Sequence, residues 1–180
     1  HTQAGAANPL LYDLAAGVND PAIPALLPAF LIGVPRWLSP NPTSVRQEGV
    51  ATRPDAVKGI VAVTRHPFLW GVVIWSAMHL VLNGDEASVV LFGTFFVLAL
   101  LGPLSIDAKR KRKMGAAWDG FAAHTSNIPF AAAAAGCTKL KWGEILDWRM
   151  AVAVALFVVV LFGHGHVIGV SPFPGGWQPF

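Results

Sequence analysis

A chain of 180 residues is enough for one domain, and this one is 54% apolar and only 13% charged, where soluble proteins usually carry about 25% charge. That composition argues against a water-soluble globule and for a single membrane domain spanning residues 1–180. The net charge of +3 is small, and a single cysteine, Cys137, excludes an intrachain disulfide and a cysteine-rich metal site.

Residues 1 to 20 are small and polar without a strong period, and read as a loop or short interfacial turn. The first residue is His1 and no signal-peptide pattern precedes it, which leaves room for an earlier N-terminal helix. Residues 22 to 38 form an apolar run interrupted by Pro24, Pro28 and Pro35, short for a crossing and expected either to kink or to extend backward to Leu10. From Ser39 to Thr64 the chain turns polar and proline-rich, as an extramembrane loop would.

The stretch from Thr64 to Asp85 organises the rest. It opens with Arg65 and His66, places Pro67 in a first helical turn, stays apolar to Leu82 and ends in Asn83-Gly84-Asp85. Helical spacing puts Gly71, Trp75 and His79 on one face. His66 and His79 are separated by about 20 Å of rise, so they cannot share one site.

Residues 87 to 106 give an uncharged membrane-length run, followed by Asp107 and the basic run Lys109 to Lys113. The short turn before it makes an antiparallel hairpin. Trp118, Phe121, Ala122 and Thr125 recur at helical spacing within 114–127, which predicts an amphipathic interfacial helix. Ile128 to Cys137 is too short to span, and either dips into the bilayer or packs against the bundle. A final apolar run over 150–170 is broken late by Gly163-His164-Gly165-His166. Trp37, Trp118, Trp142 and Trp148 lie near apolar boundaries, as interfacial anchors do.

The expected fold is thus all-α: a polytopic membrane helical bundle of about four transmembrane helices, 22–38, 60–82, 87–106 and 150–170, plus the interfacial helix. All thirteen Lys and Arg residues fall within 36–65, 109–113 and 139–149. The positive-inside rule then places those segments in the cytoplasm and both termini on the non-cytoplasmic side. The cluster Lys109 to Lys113 reads as topology and lipid-phosphate contact rather than nucleic-acid binding. No Walker loop, dinucleotide fingerprint or serine elbow is present, which argues against a soluble-type NTPase or hydrolase.

Arg65-His66-Pro67-x-x-x-Gly71, Trp75, His79, Asn83-Gly84-Asp85, Phe92-Gly93, Asp107, Gly115, Trp118, Phe121 and Thr125-Ser126-x-x-Pro129-Phe130 together resemble the NnrU family. The likeness covers a core of about 60–136, with Ser171-Pro172 also similar. It implies a polytopic protein of the bacterial inner membrane, associated with denitrification. The family is similar to 15-cis-zeta-carotene isomerase, which implies haem b, redox-dependent isomerisation and a hydrophobic polyene substrate. More distantly, the Arg-His-Pro-x-x-x-Gly string resembles isoprenylcysteine and phospholipid methyltransferases. Those enzymes carry an acidic pair after the next helix, where this chain offers Asp107 and then basic residues, so the S-adenosylmethionine route is weakened.

Within apolar helices histidines are costly and mark function. His79 lies about 21 Å, and His164 about 22 Å, from the cytoplasmic start of their helices, so the two are level. They are the expected metal ligands, holding haem iron, with His166 the other candidate for the cofactor. The bland reading of His79 is a buried histidine bonded to a neighbouring helix. Gly71, Gly163 and Gly165 would let a macrocycle approach, or simply permit close helix packing. His66 and Asp107, at one membrane boundary, are the expected catalytic pair, with His124 near them; otherwise His66 only caps its helix. The alternative to a haem-dependent isomerase is a non-catalytic accessory subunit whose partners are membrane lipid and other subunits of a larger complex.

Overall fold

The computed structural model describes residues 8–13, 19–44 and 46–173. Expectations for 1–7, for 14–18 and for the tail beyond 173 lie outside those residues. Among the described residues every regular element is a helix, and the only β pairing is an isolated bridge between Leu10 and Asp85.

Four long helices form a row. α1 (Asn19–Trp37) contains Pro24, Pro28 and Pro35 and packs on both α3 (Pro67–Leu82) and α8 (Trp148–Ile168). α3 in turn packs on α4 (Glu86–Met114). The order across the layer is α8, α1, α3, α4. Close approach of α1 and α3 depends on Gly71: a Cβ there would stand 2.8 Å from the Ala29 carbonyl oxygen and 3.0 Å from the Gly33 Cα. Aromatic side chains fill the wider seams, with Trp75 edge-on to Phe92 and Phe95 between α3 and α4, and Phe30 edge-on to Phe157 between α1 and α8.

α4 and α8 are long and apolar enough to cross a membrane, whereas α1 and α3 are shorter apolar helices. Little of the apolar stretch of α4 or of α8 is buried by the protein, and Leu91, Leu98, Leu101 and Leu104 on one and Val154, Val159 and Val167 on the other are exposed. A soluble core helix would be covered on such faces; these need an apolar solvent or partner.

The true hydrophobic core lies at the basic end. There a 3-10 turn (Glu48–Thr52) and the short helices α2 (Ile60–Val63), α5 (Ala116–Ala123), α6 (Ala131–Ala134) and α7 (Trp142–Ile145) build a cap. Ala56, Ile60, Val61, Val63, Trp118, Phe121 and Ile145 are buried together in it.

Several expectations are corrected here. The span predicted over 60–82 is two helices, because Thr64 is extended and His66 is non-helical, and α3 starts only at Pro67. The apolar residues of α2 serve the cap instead. The interfacial helix predicted over 114–127 is shorter, and its apolar face, Trp118 and Phe121, is 3% exposed and packs on protein rather than lipid. Trp118 is therefore no membrane anchor, whereas Trp37, Trp142 and Trp148 are exposed. α8 runs unbroken through Gly163 and Gly165 to a left-handed Gly169, since an interior glycine weakens a helix by about 1 kcal/mol without ending it. α4 continues helically through the basic run, whose cations face the carbonyl end of the helix. At 29 residues it is about 44 Å long, more than the roughly 30 Å of a hydrocarbon layer. Ile128 to Cys137 packs against the cap through α6 and α2.

Candidate functional site

Two groups of side chains stand out, one at each end of α3. At the basic end, the turn between α2 and α3 presents Arg65 and His66 to Asp107, which lies late on α4. His66 caps α3, and its side chain is 1% exposed. Its Nε2–H donates to Asp107 Oδ1 at 2.6 Å, so in the neutral ring Nδ1 is the basic nitrogen. Arg65 approaches the other carboxylate oxygen at 3.4 Å and donates to the Thr125 carbonyl at 2.6 Å, with its guanidinium 5.8 Å from the Trp118 ring centre. Burial lowers the Arg65 pKa and the Asp107 charge raises it; a guanidinium remains charged throughout the working range. The carboxylate thus bridges two cationic or donor side chains that are consecutive in sequence.

The loop after α1 locks this turn from outside. Asn41, fully buried, donates from Nδ2 to the Arg65 carbonyl at 3.1 Å, while its Oδ1 accepts from the Thr43 amide at 2.9 Å. Thr43 Oγ1 donates to the same Arg65 carbonyl at 3.1 Å. Arg110, one helical turn after Asp107, donates to the Ser44 carbonyl at 2.6 Å. Arg65 Nε, Ser44 Oγ and Asn127 Oδ1 are buried at this junction with no protein partner among the described residues. The expectation singled out His66 and Asp107 but missed the roles of Arg65, Asn41, Thr43 and Arg110. An Asn-Pro-Thr string is a turn signal, and Arg110 three residues after Asp107 shares its helix face; neither shows which distant turn it meets. His124 is not part of the group: it is exposed, donates from Nδ1 to the Gly120 carbonyl at 3.0 Å, and no bond joins it to His66 or Asp107 among the described residues.

At the other end, His79 donates from Nδ1 to the Trp75 carbonyl at 2.8 Å. Its ring lies 4.8 Å from Trp75 and 4.6 Å from Phe92, centre to centre. His164 on α8 donates from Nδ1 to the Val170 carbonyl at 2.7 Å. Both rings are thereby set in one tautomer, with Nε2 as the lone-pair nitrogen. Imidazoles that bind metals are held in this way, the second nitrogen pinned to a carbonyl. Gly163 beside His164 has open space on its side-chain face, whereas Gly71 is filled by α1 and offers a macrocycle no room. His166 is exposed. Among the described residues no group of three or more His, Cys, Asp or Glu side chains is arranged to hold a metal ion, so a metal here would depend on two protein ligands and its own further ligands.

A segment of the head closes this end. Leu11 N–H donates to the Gly84 carbonyl at 2.7 Å, Tyr12 hydroxyl donates to the Leu80 carbonyl, and Asn8 Nδ2 donates to Asp85 Oδ1 at 2.7 Å. Asp85 also caps α4 by accepting from the Ser88 amide at 3.0 Å. These bonds, above all those from Ser88, hold its carboxyl down to about 2.

The family model described as NnrU protein matches residues 1–172. That range is nearly the whole chain and exceeds the 60–136 core on which the resemblance rested. No match was found among curated proteins or among solved structures.

Proposed function

The chain belongs to the NnrU family, and on that footing we propose that it is a haem-b-binding protein of the bacterial inner membrane that runs redox-dependent, isomerase-like chemistry on a hydrophobic polyene. The observation that carries the reading is the matched pair His79 and His164, each with Nδ1–H on a backbone carbonyl and Nε2 left as donor to iron. Bound there, a haem would supply a one-electron redox centre in an apolar site. The chain's own residues orient it: Trp75 and Phe92 hold the His79 ring, and the Asn8 to Tyr12 segment covers that end of α3 and α4.

In this reading all four long helices cross the bilayer. The cap and its Lys and Arg residues lie in the cytoplasm, and both termini lie outside. His66 and Asp107 form a second centre, about 20 Å from His79, where the ring nitrogen Nδ1 can take a proton and the carboxylate stabilises the resulting imidazolium. Its catalytic role is at the cytoplasmic face, apart from the haem.

The exposed apolar faces of α4 and α8 favour a second reading, a non-catalytic subunit buried in a larger membrane complex. Visible absorption of the purified protein separates the two. A bis-histidine haem gives a low-spin spectrum, abolished in His79→Ala and in His164→Ala and kept in His66→Ala. A colourless protein purified from haem-replete cells, or a spectrum unchanged in His79→Ala, would overturn the haem assignment.

A further inference from the structure

Within the cap, the 3-10 turn, α5 and the segment leading into α7 enclose an open groove of about 400 Å³. Arg53, Lys139, Lys141 and His124 line it, over a floor that includes Val57 and Phe121, and no carboxylate lines it among the described residues. Arg53 pairs with Asp55 at 3.0 Å and Lys141 with Glu144 at 3.3 Å. Both pairs are solvent-exposed in large part, so an incoming anion can compete for either cation at little cost. Lys139 is exposed and pairs with no carboxylate among the described residues. The groove therefore offers one uncommitted ammonium, two exchangeable cations and an imidazole around an apolar floor.

Its place in the chain narrows the ligand. Lys141 directly precedes Trp142, and α8 starts at Trp148; both tryptophans are exposed, as side chains of the headgroup layer are. Arg149, in the first turn of α8, donates to the Leu38 carbonyl at 3.0 Å and so ties the start of that crossing to the end of α1. A cationic groove beside such a boundary meets phosphate groups at high local concentration, and the apolar floor suits the glycerol and first acyl carbons behind them. We propose that this groove is a binding site for the phosphate of an anionic phospholipid headgroup. This rests on the membrane placement of α8 and not on haem.

The test uses the full-length protein in nanodiscs of phosphatidylcholine with and without phosphatidylglycerol, with retained lipid counted by native mass spectrometry. Phosphatidylglycerol should be retained over phosphatidylcholine, and Lys139→Glu should lower that retention by about tenfold. Lys58→Glu, with the same charge change at an exposed cap residue that does not line the groove, should lower it far less. Equal losses in the two variants would overturn the site, because general surface charge would then account for binding. If glycerol 3-phosphate or inorganic phosphate strips the lipid at millimolar levels, and binds wild type but not Lys139→Glu, the phosphate site stands and the lipid headgroup is overturned as its ligand. Loss of the haem spectrum in His79→Ala with lipid retention unchanged keeps the two proposals separate.

Discussion

Asp107 is a single carboxylate shared by two neighbours, and its removal leaves both stranded. Arg65 and His66 are 13% and 1% exposed in their side chains, and Asp107 itself is 25% exposed. Asp107→Ala is expected to destabilise the protein by about 2–3 kcal/mol, below the ~3–5 kcal/mol of a fully buried pair because water reaches the carboxylate. Asp107→Asn keeps one acceptor for His66 and should lose less. Thermal unfolding of the two variants in detergent checks the order, and equal midpoints would contradict it. His66 and Asp107 were legible in the sequence because both stand at ends of apolar runs. What held them in place was not, because Asn41 and Thr43 act through the Arg65 carbonyl, 22 to 24 residues away.

Helix pairs are set by what each face can accept. Gly71→Ala would gain about 0.5–1 kcal/mol of helix propensity, but its methyl would meet the backbone of α1 at 2.8 Å and 3.0 Å, which neither helix can give without separating. A net loss of about 1–3 kcal/mol is expected. Gly93→Ala on α4, with nothing within 4 Å of the added carbon, should be neutral or stabilising. Unfolding midpoints of the two variants measured side by side decide the matter. The apolar runs announced α3, α4 and α8 well, since length and hydropathy are local properties. The break at Thr64 to His66 was hidden because Ile60 to Val63 are as apolar as the residues after Pro67. Only the presence of a cap to receive them shows that they leave the bundle. The period that marked Trp118 and Phe121 was read correctly as a face, yet periodicity does not say whether protein or lipid covers it.

At the scale of the whole molecule, the head is fastened to the α3–α4 turn through an ionised carboxylate. Asp85 is held below the ordinary value near 4, at about 2. The ionised form therefore favours the closed head fully above pH 4, and that contribution fades as pH falls towards 2. The Leu11 amide, bonded to the Gly84 carbonyl, should lose its protection from hydrogen exchange over that interval, relative to amides in the middle of α4. In Asp85→Asn the protection should be weaker at neutral pH and insensitive to acid across the same range. Acid loss of equal size in Asp85→Asn would place the effect elsewhere.

The cap's core also imposes an order on biosynthesis. Ala56 and Ile145 are packed together in it, so a ribosome that has just released the first must add 89 further residues before the second exists. At ~5–20 residues per second that is roughly 4–18 s. During this time α3 and α4 can already pair as a hairpin, while Ile60, Val61, Trp118 and Phe121 remain uncovered beside the ribosome exit. The nascent chain is most vulnerable to aggregation in this interval, which α7 ends and α8 follows. The helix that completes the row can be inserted only after the segment that seals the cap has emerged.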